Sequence, residues 1–215
     1  MTNDLLGTFR RFVALPPVAD VALALWTLHA HAHEAFDVSP VLGLTSPEKR
    51  CGKTTTLRVL GALVPRPLLA SSVSTAALFR TIERYKPTFL VDEADSFLRD
   101  NEELRGALNS GHHRALATFV RTVGEDFESR AFSTWCPKAI ALIGRLAATL
   151  EDRAILIPMR RRAPGEPVER MRLDRLGKLG PLCRRGWRWT QDRLDDLRGA
   201  DPVVPEQLDD RAADN

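Results

Sequence analysis

The stretch Val41-Leu42-Gly43-Leu44-Thr45-Ser46-Pro47-Glu48-Lys49-Arg50-Cys51-Gly52-Lys53-Thr54-Thr55 decides the fold of this chain. A short apolar run passes through a polar turn into Gly-Lys-Thr-Thr, which opens a segment of helical apolar spacing, so it reads as strand, loop and helix. A loop that holds phosphates needs a glycine where the backbone passes close to the anion, and amide N–H groups at a helix N-terminus to cradle it. It also needs a lysine for the outer phosphates and a hydroxyl for magnesium. Gly52, Lys53 and Thr54 supply those parts, with Cys51 inside the loop and Thr55 as a spare hydroxyl. Pro47 stands where such a loop ordinarily has its first glycine; proline fixes φ and donates no hydrogen bond, so that corner must turn differently. The competing reading, a solvated basic turn ahead of a helix, is weakened by the strand and helix that flank the loop.

A second element carries chemistry. Thr88-Phe89-Leu90-Val91 is an apolar strand that delivers two adjacent carboxylates, Asp92 and Glu93. Ligands of parallel α/β sheets bind beyond the carboxyl ends of the strands, which puts this pair on the same edge as the loop. Asp92 is then expected in the magnesium shell and Glu93 beside the attacking water. An apolar run ending in Asp-Glu is, alone, equally an ordinary strand meeting a polar turn; following a phosphate loop, it is more specific. The letters Asp92-Glu93-Ala94-Asp95 do not make a DEAD-box RNA helicase, because the Ser-Ala-Thr motif of that family is absent downstream.

Composition is permissive. The 215 residues are 44% hydrophobic, enough for one sizeable core, and 31 Lys+Arg against 28 Asp+Glu leave a formal charge of +3, too small to imply general affinity for polyanions. Cys51, Cys136 and Cys183 form no CxxC pair, no secretory leader is evident, and the apolar run 18–28 is too short to cross a bilayer, so a cytoplasmic protein without membrane contact is expected.

Along the chain, 16–36 reads as a helix, with prolines in its first turn and Val18, Val21, Leu25 and Leu28 at helical spacing. His29, His31 and His33 within it invite a metal reading, but no cysteine or carboxylate set accompanies them, and packed or solvated histidines are expected. A helix over 54–63, a strand over 68–73 and a helix capped by Ser74 and ended by Pro87 follow. A short helix over 101–108 leads to a turn containing Asn109, and 118–121 with 130–135 read as a hairpin whose tip holds Glu125 and Asp126. That hairpin suits either a channel-facing projection of a motor or a structural flap. Strands over 138–143 and 154–157 complete the core.

Arg153 stands just before the last strand, where an oligomeric ATPase would place a cation for a neighbour's γ-phosphate, and Arg145, at a strand tip, suits a sensor of nucleotide state. Each has the plain alternative of a surface salt bridge. Beyond Ile157 come Arg160-Arg161-Arg162 and a basic, Leu-rich tail. Arg184, Arg185, Trp187, Arg188 and Trp189 could stack and neutralise a single strand, but an amphipathic helix with Leu182 and the tryptophans half-buried is the preferred reading.

Assembled, these residues resemble a family of uncharacterised P-loop ATPase domains from phage, plasmid and prophage primase-helicase proteins. The resemblance covers most of the chain. It rests on Thr45-Ser46-Pro47-Glu48-Lys49 with Cys51-Gly52-Lys53-Thr54-Thr55, on Leu90-Val91-Asp92-Glu93-Ala94-Asp95, and on Leu104-Arg105-Gly106 with Leu108-Asn109-Ser110-Gly111-His112. Phe132-Ser133-Thr134-Trp135, Pro137-Lys138-Ala139-Ile140-Ala141, Leu150-Glu151-Asp152-Arg153-Ala154 and Arg160-Arg161-Arg162 add to it. It implies an AAA+-like or helicase-like core acting on DNA in the replication of mobile elements. It also implies that helices ordinarily follow 205–215, so that part of a lid is missing.

The expected fold is a three-layer α/β P-loop domain with a mainly parallel sheet: a helical lead-in over 1–37, an ATPase core over 38–162 and an incomplete helical tail over 163–215. The expected activity is magnesium-dependent ATP hydrolysis. Lys53 and the Cys51-Gly52 region hold phosphates, Thr54 and Asp92 hold magnesium, Glu93 activates water, and Asn109 or Arg145 reports the γ-phosphate. Arg153 acts across the interface of a homo-oligomer, and single-stranded DNA is the expected macromolecular partner. The alternative is a truncated nucleotide-binding or scaffolding module without turnover of its own; a small-molecule phosphotransferase is less well served by the Asp92-Glu93 pair.

Overall fold

A computed structural model describes residues 1–215 apart from Phe97, Arg99, Asp100, Gly124, Asp126, Asp209 and Asn215, and apart from the side chains of Ser96, Asp210 and Arg211. Asp126, in the expected hairpin tip, therefore lies outside the described residues, as do Asp209 and Asn215 of the closing segment.

Five strands of the described residues form one parallel sheet: β1 (Val41–Ser46), β2 (Pro67–Ala70), β3 (Thr88–Val91), β6 (Lys138–Ile143) and β7 (Ala154–Pro158), in the spatial order β2-β3-β6-β1-β7. The period-two alternation of each strand sorts its side chains onto two faces. Leu42, Leu44, Leu90, Ala139, Ala141 and Ile157 enter one core with α1 (Thr2–Phe12), α2 (Ala19–His31) and α3 (Lys53–Leu63). Val41, Phe89, Val91, Ile140 and Leu142 enter the other with α4 (Thr75–Tyr85), α5 (Glu102–Ser110) and α6 (Ala148–Glu151). Burial on both faces is why the central strands β1, β3 and β6 read as nearly continuous apolar runs. The molecule is thus a three-layer α/β fold with a parallel sheet. At Gly43, in the centre of β1, a Cβ would lie 2.7 Å from Leu156 Cδ2 and 2.9 Å from Leu146 Cδ1, so both leucine side chains would have to shift to admit one.

Local signals act as expected at several ends. Ser74 Oγ accepts from Ala77 N–H at 3.3 Å and Asn101 Oδ1 from Leu104 N–H at 2.9 Å, each satisfying a first-turn donor. Elsewhere the structure corrects the sequence reading. The segment expected to be a helix from 16 starts at Ala19, because Val18 is left-handed with φ 58°, and the helix ends at His31 before a 3-10 turn, His33–Ala35. The N-terminal residues form a helix of their own, α1, whose Leu5 and Phe9 are fully buried. The second strand is Pro67–Ala70 rather than 68–73.

The hairpin β4 (Thr118–Val123) and β5 (Glu128–Ser133) is a separate two-stranded sheet. It rests on α4, where Phe79 stacks on Phe119 and packs against Phe132 with ring centroids 5.6 and 4.5 Å apart. In the tail, α7 (Gly180–Gln191) lays Leu182 and Trp189 against the first core, and Trp187 is 51% exposed, so the helix carries both tryptophans partly buried. Short helices α8 (Leu194–Arg198) and α9 (Asp210–Asp214) follow. Among the described residues no helix is long and apolar enough to cross a membrane.

Candidate functional site

At the carboxyl edge of the sheet, the chain leaves β1 at Ser46, turns through Pro47–Gly52 and enters α3 at Lys53. Two left-handed residues make this turn: Arg50, φ 65°, and Gly52, φ 84°, which precedes the first helical residue. Glycine is suited to that position because it adopts this conformation without the Cβ–carbonyl conflict of other residues. Thr56 N–H and Oγ1–H donate to Gly52 O at 2.9 and 3.0 Å, fixing the helix start behind the loop. Lys53 is 9% exposed, and its Nζ donates to Ser46 Oγ, which in turn donates to Glu48 O at 2.7 Å. A buried ammonium held at the floor of an open loop is poised for an anion.

The acid pair arrives as the topology requires. β3 is buried along its length, Asp92 N–H donates to Ala70 O at 2.9 Å, and the backbone then reverses at Glu93, which is left-handed with φ 54°. Glu93 N–H donates to Asp92 Oδ1 at 3.0 Å, leaving the second carboxylate oxygen of Asp92 for another ligand. β6 lies between β1 and β3, and its last residue, Ile143, forms part of the floor between loop and acid pair. Ile143 N–H donates to Asp95 Oδ1 at 3.0 Å, so Asp95 clamps the turn after β3 to the end of β6. One cavity of about 580 Å³ results, lined by 49–55 of the loop and by Asp92, Glu93, Asp95 and Ile143. It brings Cys51, Gly52, Lys53, Thr54, Thr55, Asp92 and Glu93 together.

Compared with known proteins, the chain matches no family and no curated protein.

Three further sequence-selected residues lie elsewhere. Arg145 follows Gly144 at the end of β6 but lines an adjoining cavity of about 190 Å³, where its Nη2 donates to Glu151 at 2.8 Å; that hydrogen bond and the carboxylate charge raise its pKa further. Asn109 is outside the cavity, one turn beyond Arg105 on α5, with its Nδ2 donating to Thr149 Oγ1 at 3.0 Å. Arg153 precedes β7 at the amino edge, where its carbonyl accepts from Val41 N–H at 2.9 Å and its Nη1 donates to Thr149 O at 2.6 Å. The length of β1 separates that edge from the loop by about 17 Å. Of these three, none touches the cavity of its own chain.

Sequence reasoning passed over Ser46, Lys49, Arg50 and Asp95. Proximity in sequence to Lys53 and Glu93 was the available signal, but their contacts depend on the turn and on β6. Behind the loop, Met159 N–H donates to Thr45 O at 2.7 Å and Arg161 pairs with Glu48 at 2.6 Å, so the arginine run braces the loop from outside. Arg160 is bound to Glu166, whose carboxylate this hydrogen bonding draws down to about 2.

The histidines are packed into the fold. His29 Nε2 lies 3.3 Å from Val38 O, His31 Nε2 is 2.7 Å from Leu63 O and His33 Nε2 is 2.9 Å from Ser39 Oγ. Burial lowers all three, His29 to about 4 and, with help from the charges of His29 and Lys138, His33 to about 2. Among the described residues no group of three His, Cys, Asp or Glu is gathered as a metal centre.

Proposed function

We propose that the chain is a magnesium-dependent P-loop ATPase. The carrying observation is the single cavity that joins Gly52, Lys53 and Thr54 to Asp92 and Glu93 across the end of β6. In this reading the amides at the start of α3 and the Lys53 ammonium bind the β- and γ-phosphates, with Ser46 Oγ giving up its hold on Nζ. Thr54 and Asp92 fit magnesium because a hydroxyl and a carboxylate with one oxygen uncommitted line the same cavity. An ion held by these two side chains would supply neutralisation of charge on the phosphate oxygens. Glu93, which lines the same cavity, orients the attacking water and accepts its proton.

The position of Arg153 supports action on a neighbouring subunit, since it stands at the edge opposite its own cavity. A homo-oligomer coupled to DNA, as in helicase-like ATPases, belongs to the same proposal. The deciding experiment measures ATP binding and hydrolysis at increasing protein concentration, with and without single-stranded DNA. Turnover in the native chain, retained ATP binding without turnover in Glu93→Gln, and loss of binding in Lys53→Ala are expected. Binding without turnover in the native chain at every concentration would instead establish a nucleotide-binding or scaffolding module.

A further inference from the structure

At the amino edge of the sheet, opposite the cavity, two basic residues share a built backbone, and α4 carries further arginines up to it. Arg66 precedes β2 and Lys86 ends α4 before β3; both are left-handed with φ 43°, and Arg66 Nε donates to Lys86 O at 2.7 Å. Thr88 locks the two turns together, its N–H donating to Arg66 O at 3.0 Å and its hydroxyl to Pro65 O at 2.7 Å. A left-handed residue is common after a helix, but two non-glycine residues in that conformation, bonded to each other, form a strained and rigid platform. Arg80 and Arg84 lie one turn apart on the exposed side of α4. The Arg84 guanidinium sits 5.3 Å from the ring centroid of Tyr85, which is 56% exposed. Among the described residues none of Arg66, Arg80, Arg84 and Lys86 has a carboxylate within 4.0 Å; Glu83, the acid nearest in sequence, is taken by Arg130.

We propose that Arg66, Arg80, Arg84, Tyr85 and Lys86 form a docking surface for single-stranded nucleic acid. Four cations without a carboxylate partner among the described residues match a phosphodiester backbone, and an exposed ring backed by a guanidinium offers a face on which a base can stack. A duplex would use only the cations, because its bases are already stacked. The surface is independent of the nucleotide cavity.

The test is fluorescence anisotropy of a labelled oligothymidylate titrated with the full chain, without nucleotide, over a series of salt concentrations. The ribo form and a duplex of equal length are run in parallel. Either single strand is expected to bind more tightly than the duplex. The triple variant Arg66→Ala, Arg84→Ala, Lys86→Ala should bind at least tenfold more weakly, with a slope of log affinity against log salt shallower by about two. Tyr85→Ala should weaken binding about fivefold or more and leave the slope unchanged. Arg66→Lys with Arg84→Lys keeps the charges and should keep the native slope, which separates loss of contact from loss of fold. A native chain that binds neither single strand, a triple variant that binds like the native chain, or a preference for the duplex would overturn the proposal and leave the cations as guards of the exposed β2 edge. None of these outcomes depends on whether the cavity hydrolyses ATP.

Discussion

At the scale of single residues, the cavity is governed by a few atoms with divided duties. Lys53 and Glu93 approach it from different strands' ends, one buried and the other exposed. If the proposed hydrolysis is right, Glu93→Gln keeps the size of the side chain but removes the proposed base, so turnover should fall by about 10²-fold or more while ATP affinity stays near native, as read by steady-state kinetics beside equilibrium binding. Gly52 makes a different prediction. A Cβ there would meet Val13 Cγ1 at 3.4 Å, close to ordinary contact, so Gly52→Ala should act mainly through its φ of 84°. A loss of about 1–2 kcal/mol is expected in denaturant unfolding, together with weaker ATP binding.

At the scale of elements, Asp95 joins the turn after β3 to the end of β6 and so sets the floor of the cavity. Asp95→Ala should cost about 1 kcal/mol of stability, and Asp95→Asn, which keeps an acceptor for Ile143 N–H, should recover most of it in thermal unfolding. This contact also marks where sequence reading stops. Apolar runs flanked by turn residues made every strand of the parallel sheet legible, and Gly52-Lys53-Thr54 with Asp92-Glu93 announced which ends share an edge. α1 lies inside the helical lead-in expected over 1–37; that it is a helix separate from α2 went unread, although Leu5, Leu6, Phe9 and Phe12 carry helical spacing. Asn109 and Arg145 looked equally near the phosphates from their strand and helix ends. Their real partners, Thr149 and Glu151, sit on a four-residue helix that no periodicity reveals.

For the whole molecule, the buried histidines couple folding to acidity. His29 and His33 are held neutral in the folded chain, at about 4 and about 2, whereas the unfolded chain protonates them near pH 6.5. The unfolded state therefore binds more protons below that pH. Stability should be full above about pH 6.5 and fall by up to about 1.4 kcal/mol per pH unit for each histidine, levelling for His29 near pH 4 and continuing for His33 toward pH 2. Chemical denaturation across pH, repeated with His33→Gln, measures this; the variant should flatten the decline. The β4–β5 hairpin stands outside the parallel sheet and is joined to the second core through α4. Thr134 N–H donates to Ala117 O at 2.9 Å, so the chain departs for the hairpin and returns from it at one point. The tip beyond those two residues can therefore change in length without altering the strand order of the parallel sheet, as long as Phe119 and Phe132 keep their packing on Phe79.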